Sequence, residues 1–384
     1  MSTTVRHTDA DVRNFVEALR HLPDHRDNRG KRHALAFVVV GVVCAILSGR
    51  STVSSIFRYL RNRIEWLREV THYPDAGVVS RAHLPRLLAR LDWVELNTLI
   101  DQHFGVQGEL RATDGWVAID GKVLRGTLAS GDQQSVVFAV RHGSRTLLAQ
   151  ARMQGSKASE IPVVRALLTH SQLEAHKVTL DAHHCNPTTT AQMHQAGGQY
   201  VIQVKENQPL LLKQCQDLAA TVVPWGRYEE CEKGHGRLTL REGQCFDMRA
   251  VNLAPRWSDS GLHTLVVMQR ETVRLATQKM TSETAYYISN QALGRDPQAQ
   301  AMELTRAMRE HWHVESDNGI REVTLEEDHI KTTSANQAQI MGSLRSLALR
   351  LLRRCKMTNF RAALEDFADC PSRFEALLRQ VNFL

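Results

Sequence analysis

Trp116-Val117-Ala118-Ile119-Asp120-Gly121-Lys122 and, farther along, Val178-Thr179-Leu180-Asp181-Ala182 decide how this chain is read. Each is a short apolar run of strand character that closes on an aspartate. Carboxylates at strand ends face the edge of a sheet. A third acid, Glu315 in His311-Trp312-His313-Val314-Glu315, falls in a long helical pattern near the C-terminal end. A carboxylate from such a helix completes a pocket able to hold two divalent cations about 3.5–4 Å apart, the arrangement used for in-line displacement at phosphorus. Oxygen-rich ligands suit Mg2+ or Mn2+. The three acids therefore point to a metal-dependent enzyme acting on nucleic-acid phosphodiesters.

The residues around them refine this expectation. Met302, Met308, Trp312 and Glu315 recur at helical spacing, which predicts that Glu315 shares the core-facing stripe. A carboxylate there is costly unless it pairs with an arginine or binds metal. The acidic group Glu322, Glu326, Glu327 and Asp328 is a competing source of ligands, and reads more simply as a solvated helix end. His183-His184-Cys185 and His311-x-His313-x-Glu315 lack the spacing of a structural zinc site. Lys122 and Arg125 follow Asp120, and Lys205, Asn207 and Gln208 follow a later strand. In such a sheet these points flank the metal site and are candidates to hold phosphates, with ordinary loop polarity as the alternative. The glycine patterns of P-loop ATPases and dinucleotide enzymes are absent from the sequence.

Outward from the aspartates, the pattern predicts strands at Trp116–Asp120, Ser135–Arg141 and Thr146–Met153, then a helix at Glu160–Leu168. A strand at Lys177–Asp181, a helix at Thr188–Gln195, a strand at Gln199–Lys205 and a helix opened by Pro209 follow. This order, βββαβα with one further strand and helix, is that of the RNase H-like fold, whose first and fourth strands each present a carboxylate. The expected class is α+β, a mixed sheet with flanking helices. Residues 8 to about 105 read as helical, with Val79–Leu91 and its cap Ser80 a candidate recognition helix. Residues about 222–290 read as a β-rich insertion or a small second sheet, and helices return at Pro297–Ile320, Ala335–Leu352 and Arg373–Val381. Two domains follow: residues 1–110, helical and a candidate for DNA binding, and residues 111–384, catalytic.

The chain of 384 residues carries 48 Lys and Arg against 41 Asp and Glu, a net charge of +7. That balance favours a polyanionic partner without specifying a fold. Arg26, Arg29, Lys31 and Arg32 form one basic group, and Arg345, Arg350, Arg353, Arg354 and Lys356 another. Taken singly, such groups read more often as solvated surface than as a DNA-binding face. Seven unpatterned cysteines speak for a reducing cytosol and against a disulfide framework or a zinc ribbon. The first residues are polar and charged, unlike a signal peptide. The apolar run Ala34–Leu47 falls short of the roughly 20 residues that span a bilayer and reads as a buried core helix. The expected location is the cytoplasm, associated with the nucleoid, with no membrane partner.

Leu22-Pro23-Asp24-x-Arg26, Gly49-Arg50-Ser51, Ile119-Asp120-Gly121-Lys122-x-Leu124-Arg125-Gly126 and Thr179-Leu180-Asp181-Ala182 recur in order with Gly198-Gln199-Tyr200-Val201-Ile202-x-Val204-Lys205-x-Asn207-Gln208, His235-Gly236-Arg237, His311-Trp312-x-Val314-Glu315 and Glu327-Asp328. Together these resemble the H-repeat-associated insertion-sequence transposases, a branch of the DDE transposases with an RNase H-like core, over nearly the full length. The resemblance implies that Asp120, Asp181 and Glu315 are the metal-binding triad, holding two Mg2+ or Mn2+ ions. It also implies cleavage of double-stranded DNA at element ends, joining of the 3′-hydroxyl to target DNA, and a homodimer on the DNA. Arg237 and His311 join Lys122, Arg125, Lys205, Asn207 and Gln208 as DNA-binding candidates. The sequence departs from the family where a Tyr, Arg, Glu, Lys signature is carried by Met308, His311, Glu315 and Glu322, and where Thr239 replaces an acid. A DNA-binding protein that has lost catalysis and a nuclease without strand joining are the alternative readings.

Overall fold

The computed structural model describes residues 14–26, 31–105, 114–124, 134–153, 160–329 and 331–384. In chain order the helices α1 (Phe15–Arg20), α2 (Leu35–Leu47), α3 (Val53–Asn62), α4 (Ile64–Thr71), α5 (His83–Leu88) and α6 (Trp93–His103) come first. Strands β1 (Trp116–Leu124), β2 (Gln134–Arg141) and β3 (Leu147–Met153) precede α7 (Glu160–His170), β4 (Lys177–Leu180), α8 (Pro187–Gln195), β5 (Gln199–Val204) and α9 (Pro209–Thr221). Strands β6 (Gly226–Gly234), β7 (Arg237–Asp247), β8 (Thr264–Arg274) and β9 (Met280–Ser289) lead to α10 (Pro297–Gly319), α11 (Ala335–Arg354), α12 (Phe360–Asp369) and α13 (Pro371–Gln380). The chain forms two compact units: residues 1–107, 123–135 and 317–384 in one, residues 108–122 and 136–316 in the other. Among the described residues no helix is long and apolar enough to cross a membrane.

In the helical unit α2 is buried along its whole length, as its apolar sequence predicts. Val38, Val42 and Leu60 share one core with Leu344, Leu347 and Leu351 of α11. The C-terminal helices, expected with the sheet, thus pack with the N-terminal ones. The reason lies in α11, which is buried without interruption from Gln337 to Leu349 and needs helices on several sides. The C-terminal basic group is partly internal: Arg345 is buried and Arg350 and Arg353 half-buried, while Arg354 and Lys356 are exposed. Arg345, 1% exposed, donates to the carbonyls of Leu325 (3.2 Å) and Ser51 (3.0 Å). Arg350 pairs with Asp101 at 3.2 Å, Arg353 pairs with Asp317, and Arg354 donates to Phe104 O at 2.7 Å. The candidate recognition helix reduces to the six residues of α5, with Leu84, Leu87 and Leu88 buried.

The sheet unit is built on strands in the order β3-β2-β1-β4-β5-β9-β8-β7-β6 among the described residues. Strand β4 runs parallel to both β1 and β5, and β9 lies antiparallel on β5 with Val201 opposite Ser289. Residues 222–290 are therefore no separate sheet; they extend the same one. Strand β6 escapes the sequence reading because Tyr228-Glu229-Glu230-Cys231-Glu232-Lys233 has no apolar alternation. Its partners across the sheet are charges, with Arg241 3.5 Å from Glu230 and 3.1 Å from Glu232. Helix α10 covers one face, where Ala301, Leu304, Ala307 and Met308 meet Trp116, Val201, Cys245 and Val266.

Two glycines mark close approaches. A Cβ on Gly243 would lie 1.8 Å from Thr305 Oγ1 on α10, and one on Gly198 would lie 2.0 Å from the Glu174 carbonyl oxygen. Backbone cannot step aside as a side chain can. Gly198→Ala is therefore expected to destabilise the protein by about 3 kcal/mol, at the upper end of overpacking costs, read as a lowered urea midpoint. A midpoint within error of the native protein would contradict this packing.

Candidate active site

The parallel register of β1 and β4 pairs Ala118 with Thr179. Two residues further along both strands stand Asp120 and Asp181, so the two carboxylates leave neighbouring strands at the same end. Strand β4 stops at Leu180, and Asp181 caps the turn Ala182–His184 by accepting the His183 N–H at 3.0 Å. Burial, then the negative charges of Asp181, Glu315 and Glu160, push Asp120 up to about 7 from its ordinary 3.8. Glu315 is also raised, by burial and by Asp181, and is held back by the cation of Lys205. Four negative charges thus converge on the strand ends.

Glu315 does not face the core as its stripe predicts. Met308 is buried at 3%, but Trp312 one turn later is 53% exposed and Glu315 is exposed as well. Glu315 lines a cleft of about 100 Å³ with Asp181, Gln203, Lys205, His311 and Trp312. A second, open cleft of about 600 Å³ shares Asp181, Gln203 and Lys205 and continues past His183 and Asn207 to Tyr286.

Glu160, the first residue of α7, escapes the sequence reading. Its carboxylate packs over Gly121, where a Cβ would come within 2.7 Å of Oε1. Oε1 lies 3.3 Å from Nε2 of the buried His184, itself 3.8 Å from Asp181 Oδ1. An acid in the first turn of a helix ordinarily reads as dipole compensation. The glycine after Asp120 was the available signal, since it leaves room for a neighbour.

Under the carboxylates, Thr179 Oγ1 lies 3.1 Å from His142 Nε2 and 3.0 Å from His311 Nδ1. Burial pushes His142 down to about 3 and His311 down to about 4, so both rings are neutral near pH 7. His311, expected to contact DNA, therefore brings no positive charge to a phosphate; it packs beneath the acids.

The other DNA-contact candidates divide. Lys205 is exposed beside Glu315. Asn207 instead spends its amide N–H on Ala182 O at 2.7 Å, and Gln208 donates to Cys185 O at 2.8 Å. Both side chains clamp the turn that carries Asp181. Lys122 is 4% exposed, buried within β1 rather than presented to a ligand. Arg237 opens β7 beside the hairpin tip. Cys245, level with Tyr287 through Val266, lies eight residues farther along that strand, about 26 Å away. Arg125 lies outside the described residues.

The donor set is all carboxylate, and its mutual repulsion is what a hard divalent cation relieves. Among the described residues, however, no three His, Cys, Asp or Glu side chains stand close enough to hold one ion together. The chemistry fits Mg2+ or Mn2+, while gripping an ion from three sides requires a carboxylate to turn inward.

A mixed sheet with adjacent aspartates on its first and fourth strands and a glutamate on a covering helix is the RNase H-like arrangement of DNA transposases. The chain belongs to the family described as "Transposase DDE domain", which it matches over residues 112–351. Residues 16–104 match the companion segment described as "DDE_Tnp_1-associated". Among curated proteins it is similar to "Putative transposase YncI" of Escherichia coli O157:H7, 25% identical over 90% of this chain and 88% of that one. It is also similar to "H repeat-associated putative transposase YhhI" of Escherichia coli K12, 24% identical over 92% of this chain and 93% of that one.

Proposed function

We propose that this protein is an insertion-sequence transposase that cuts double-stranded DNA at its element's ends and joins the freed 3′-hydroxyl to target DNA. The observation that carries this reading is the convergence of Asp120, Asp181 and Glu315, where the neighbouring acids raise Asp120 and Glu315 at the strand ends. These three would hold the divalent ions, which when bound supply activation of the attacking oxygen and stabilisation of the leaving one. Asp120 and Asp181 are oriented by strand pairing and by the capped turn. In this reading Lys205, exposed beside Glu315, holds a phosphate. The neutral rings of His142 and His311 pack under the site without competing for the anion. DNA in the cytoplasm is the substrate in this reading, and a homodimer on paired ends is the working assembly.

The test is cleavage of a DNA fragment carrying the gene's own flanking ends, with Mg2+ and then Mn2+, comparing the native chain with Glu315→Gln. Metal-dependent cuts at the ends that vanish in the variant support the reading. Tight binding without any cutting by the native chain would favour a DNA-binding protein that has lost catalysis. Cut ends that never become linked to target would favour a nuclease.

The clamp on the Asp181 turn yields a separate expectation. Asn207→Leu removes the hydrogen bond to Ala182 at similar volume, and is expected to lower cleavage at saturating DNA about 10- to 100-fold, the order seen for residues that orient metal ligands. DNA affinity should stay unchanged. Lys205→Ala should do the opposite, weakening DNA binding and lowering its salt slope by about 1. Reversed outcomes for the two variants would return Asn207 to the DNA surface.

A further inference from the structure

The motif Gly49-Arg50-Ser51 has no part in the carboxylate site, yet it shapes a second one within the helical unit. Gly49 ends α2 in the left-handed region, at φ +74°. Its N–H bonds Ile46 O at 3.0 Å and the Arg50 N–H reaches back to Ala45 O at 2.9 Å, the paired closure typical of a helix C-terminus. The chain then turns directly into α3, which Thr52 and Ser55 cap reciprocally. Arg50 is thereby set against the side of α3 that bears Arg58, Tyr59 and Asn62. These residues, with Ser55, Arg63 and Ala368, line a cleft of about 360 Å³.

The charges in this cleft are unbalanced. No carboxylate lines it. Arg63 is committed, donating to Ala368 O at 3.2 Å. Arg50 and Arg58 are exposed, and the ion pairs found among the described residues include neither. Three other arginines of the same unit are neutralised, Arg26 by Asp24, Arg350 by Asp101 and Arg353 by Asp317. Two unpaired guanidiniums beside a free amide in one concave site match the oxygens of a phosphate, which planar guanidinium forks recognise in pairs.

We propose that this cleft seats a phosphodiester of the bound duplex, held by Arg50 and Arg58 with Asn62 as a neutral donor. The inference rests on the reading that the protein acts on DNA, and it gives the helical unit a specified contact. It is tested by fluorescence anisotropy with an end-bearing duplex over a range of salt concentrations. The double variant Arg50→Gln/Arg58→Gln should weaken binding about tenfold and reduce the salt slope by about 1. Arg58→Lys should keep the slope, and Arg379→Gln, at an exposed arginine paired with Glu375, should change neither quantity. Thermal melts establish that each variant folds.

Native affinity and slope in the double variant would overturn the inference and leave the DNA reading standing. An equal loss in Arg379→Gln would also overturn it, since the effect would then be one of net charge. If the native protein bound no DNA, the DNA reading would fall. Stabilisation by pyrophosphate that depended on Arg50 and Arg58 would in that case mark a small-anion cleft and overturn the phosphodiester assignment.

Discussion

Asp120→Asn is expected to abolish end cleavage, by about 10³-fold or more, while making the metal-free protein more stable at pH 8. Asp120 holds its proton up to about pH 7, against an ordinary 3.8. Its folded-state pKa is raised, so its contribution to stability is fully present below about pH 3.8 and is lost as pH rises through about 7. Above that, a half-buried carboxylate faces the negative charges of Asp181, Glu315 and Glu160. The shift corresponds to about 4 kcal/mol at most, and solvent reaching the half-buried side chain reduces this to about 1–3 kcal/mol. Asparagine keeps the shape and removes the repulsion. Melting in EDTA at pH 5 and pH 8 reads the effect: the variant should gain stability at pH 8 and a clearly smaller amount at pH 5. Added Mg2+ should stabilise the native chain more than the variant. A variant less stable at both pH values would make Asp120 a structural residue and remove it from the triad.

The largest loss of stability is expected from Glu327→Gln. Glu327 is 5% exposed, and it is the leading counter-charge for two arginines, Arg321 at 2% and Arg345 at 1% exposure. Burial pushes both guanidiniums below their ordinary range, and Glu327 acts first against that push. The amide would leave both cations under-compensated inside the helical unit. Breaking a buried pair by neutralising one partner costs about 3–5 kcal/mol, more than the pair itself contributes over an apolar replacement. The melting temperature should fall by on the order of 10 °C, with little change in DNA affinity once the protein is folded. A loss under about 1 kcal/mol would mean that water or another acid already neutralises these arginines.

What the sequence displayed and what it hid divide along physical lines. Apolar runs ending in aspartate marked the strand ends, because alternation and termination are local properties. The order of strands and helices led to the sheet topology, because crossovers constrain it. The surroundings of the acids were less visible. Glu160 reaches the site only because Gly121 has no side chain, and Asn207 turns inward to a carbonyl that no local pattern foretells. The Glu315 stripe misled because helical spacing groups residues on a face and cannot say which turns of that face are covered. The arginines of α11 read as surface because charge is usually solvated, whereas here carbonyls and acids distant in sequence meet them.

Register makes the two aspartates a fixed jaw. Asp120 and Asp181 descend from one parallel ladder, whose spacing of about 4.8 Å is set by main-chain hydrogen bonds rather than by any side chain. Glu315 is held differently, since α10 is seated by side-chain packing at Gly243, Cys245 and Val266. Sequence drift of the kind seen at 24–25% identity can rework every side chain of β1 and β4 short of the acids and leave the fixed jaw unchanged. In the proposed reading, the gap to Glu315 is the dimension that packing along α10 and its bed in the sheet sets.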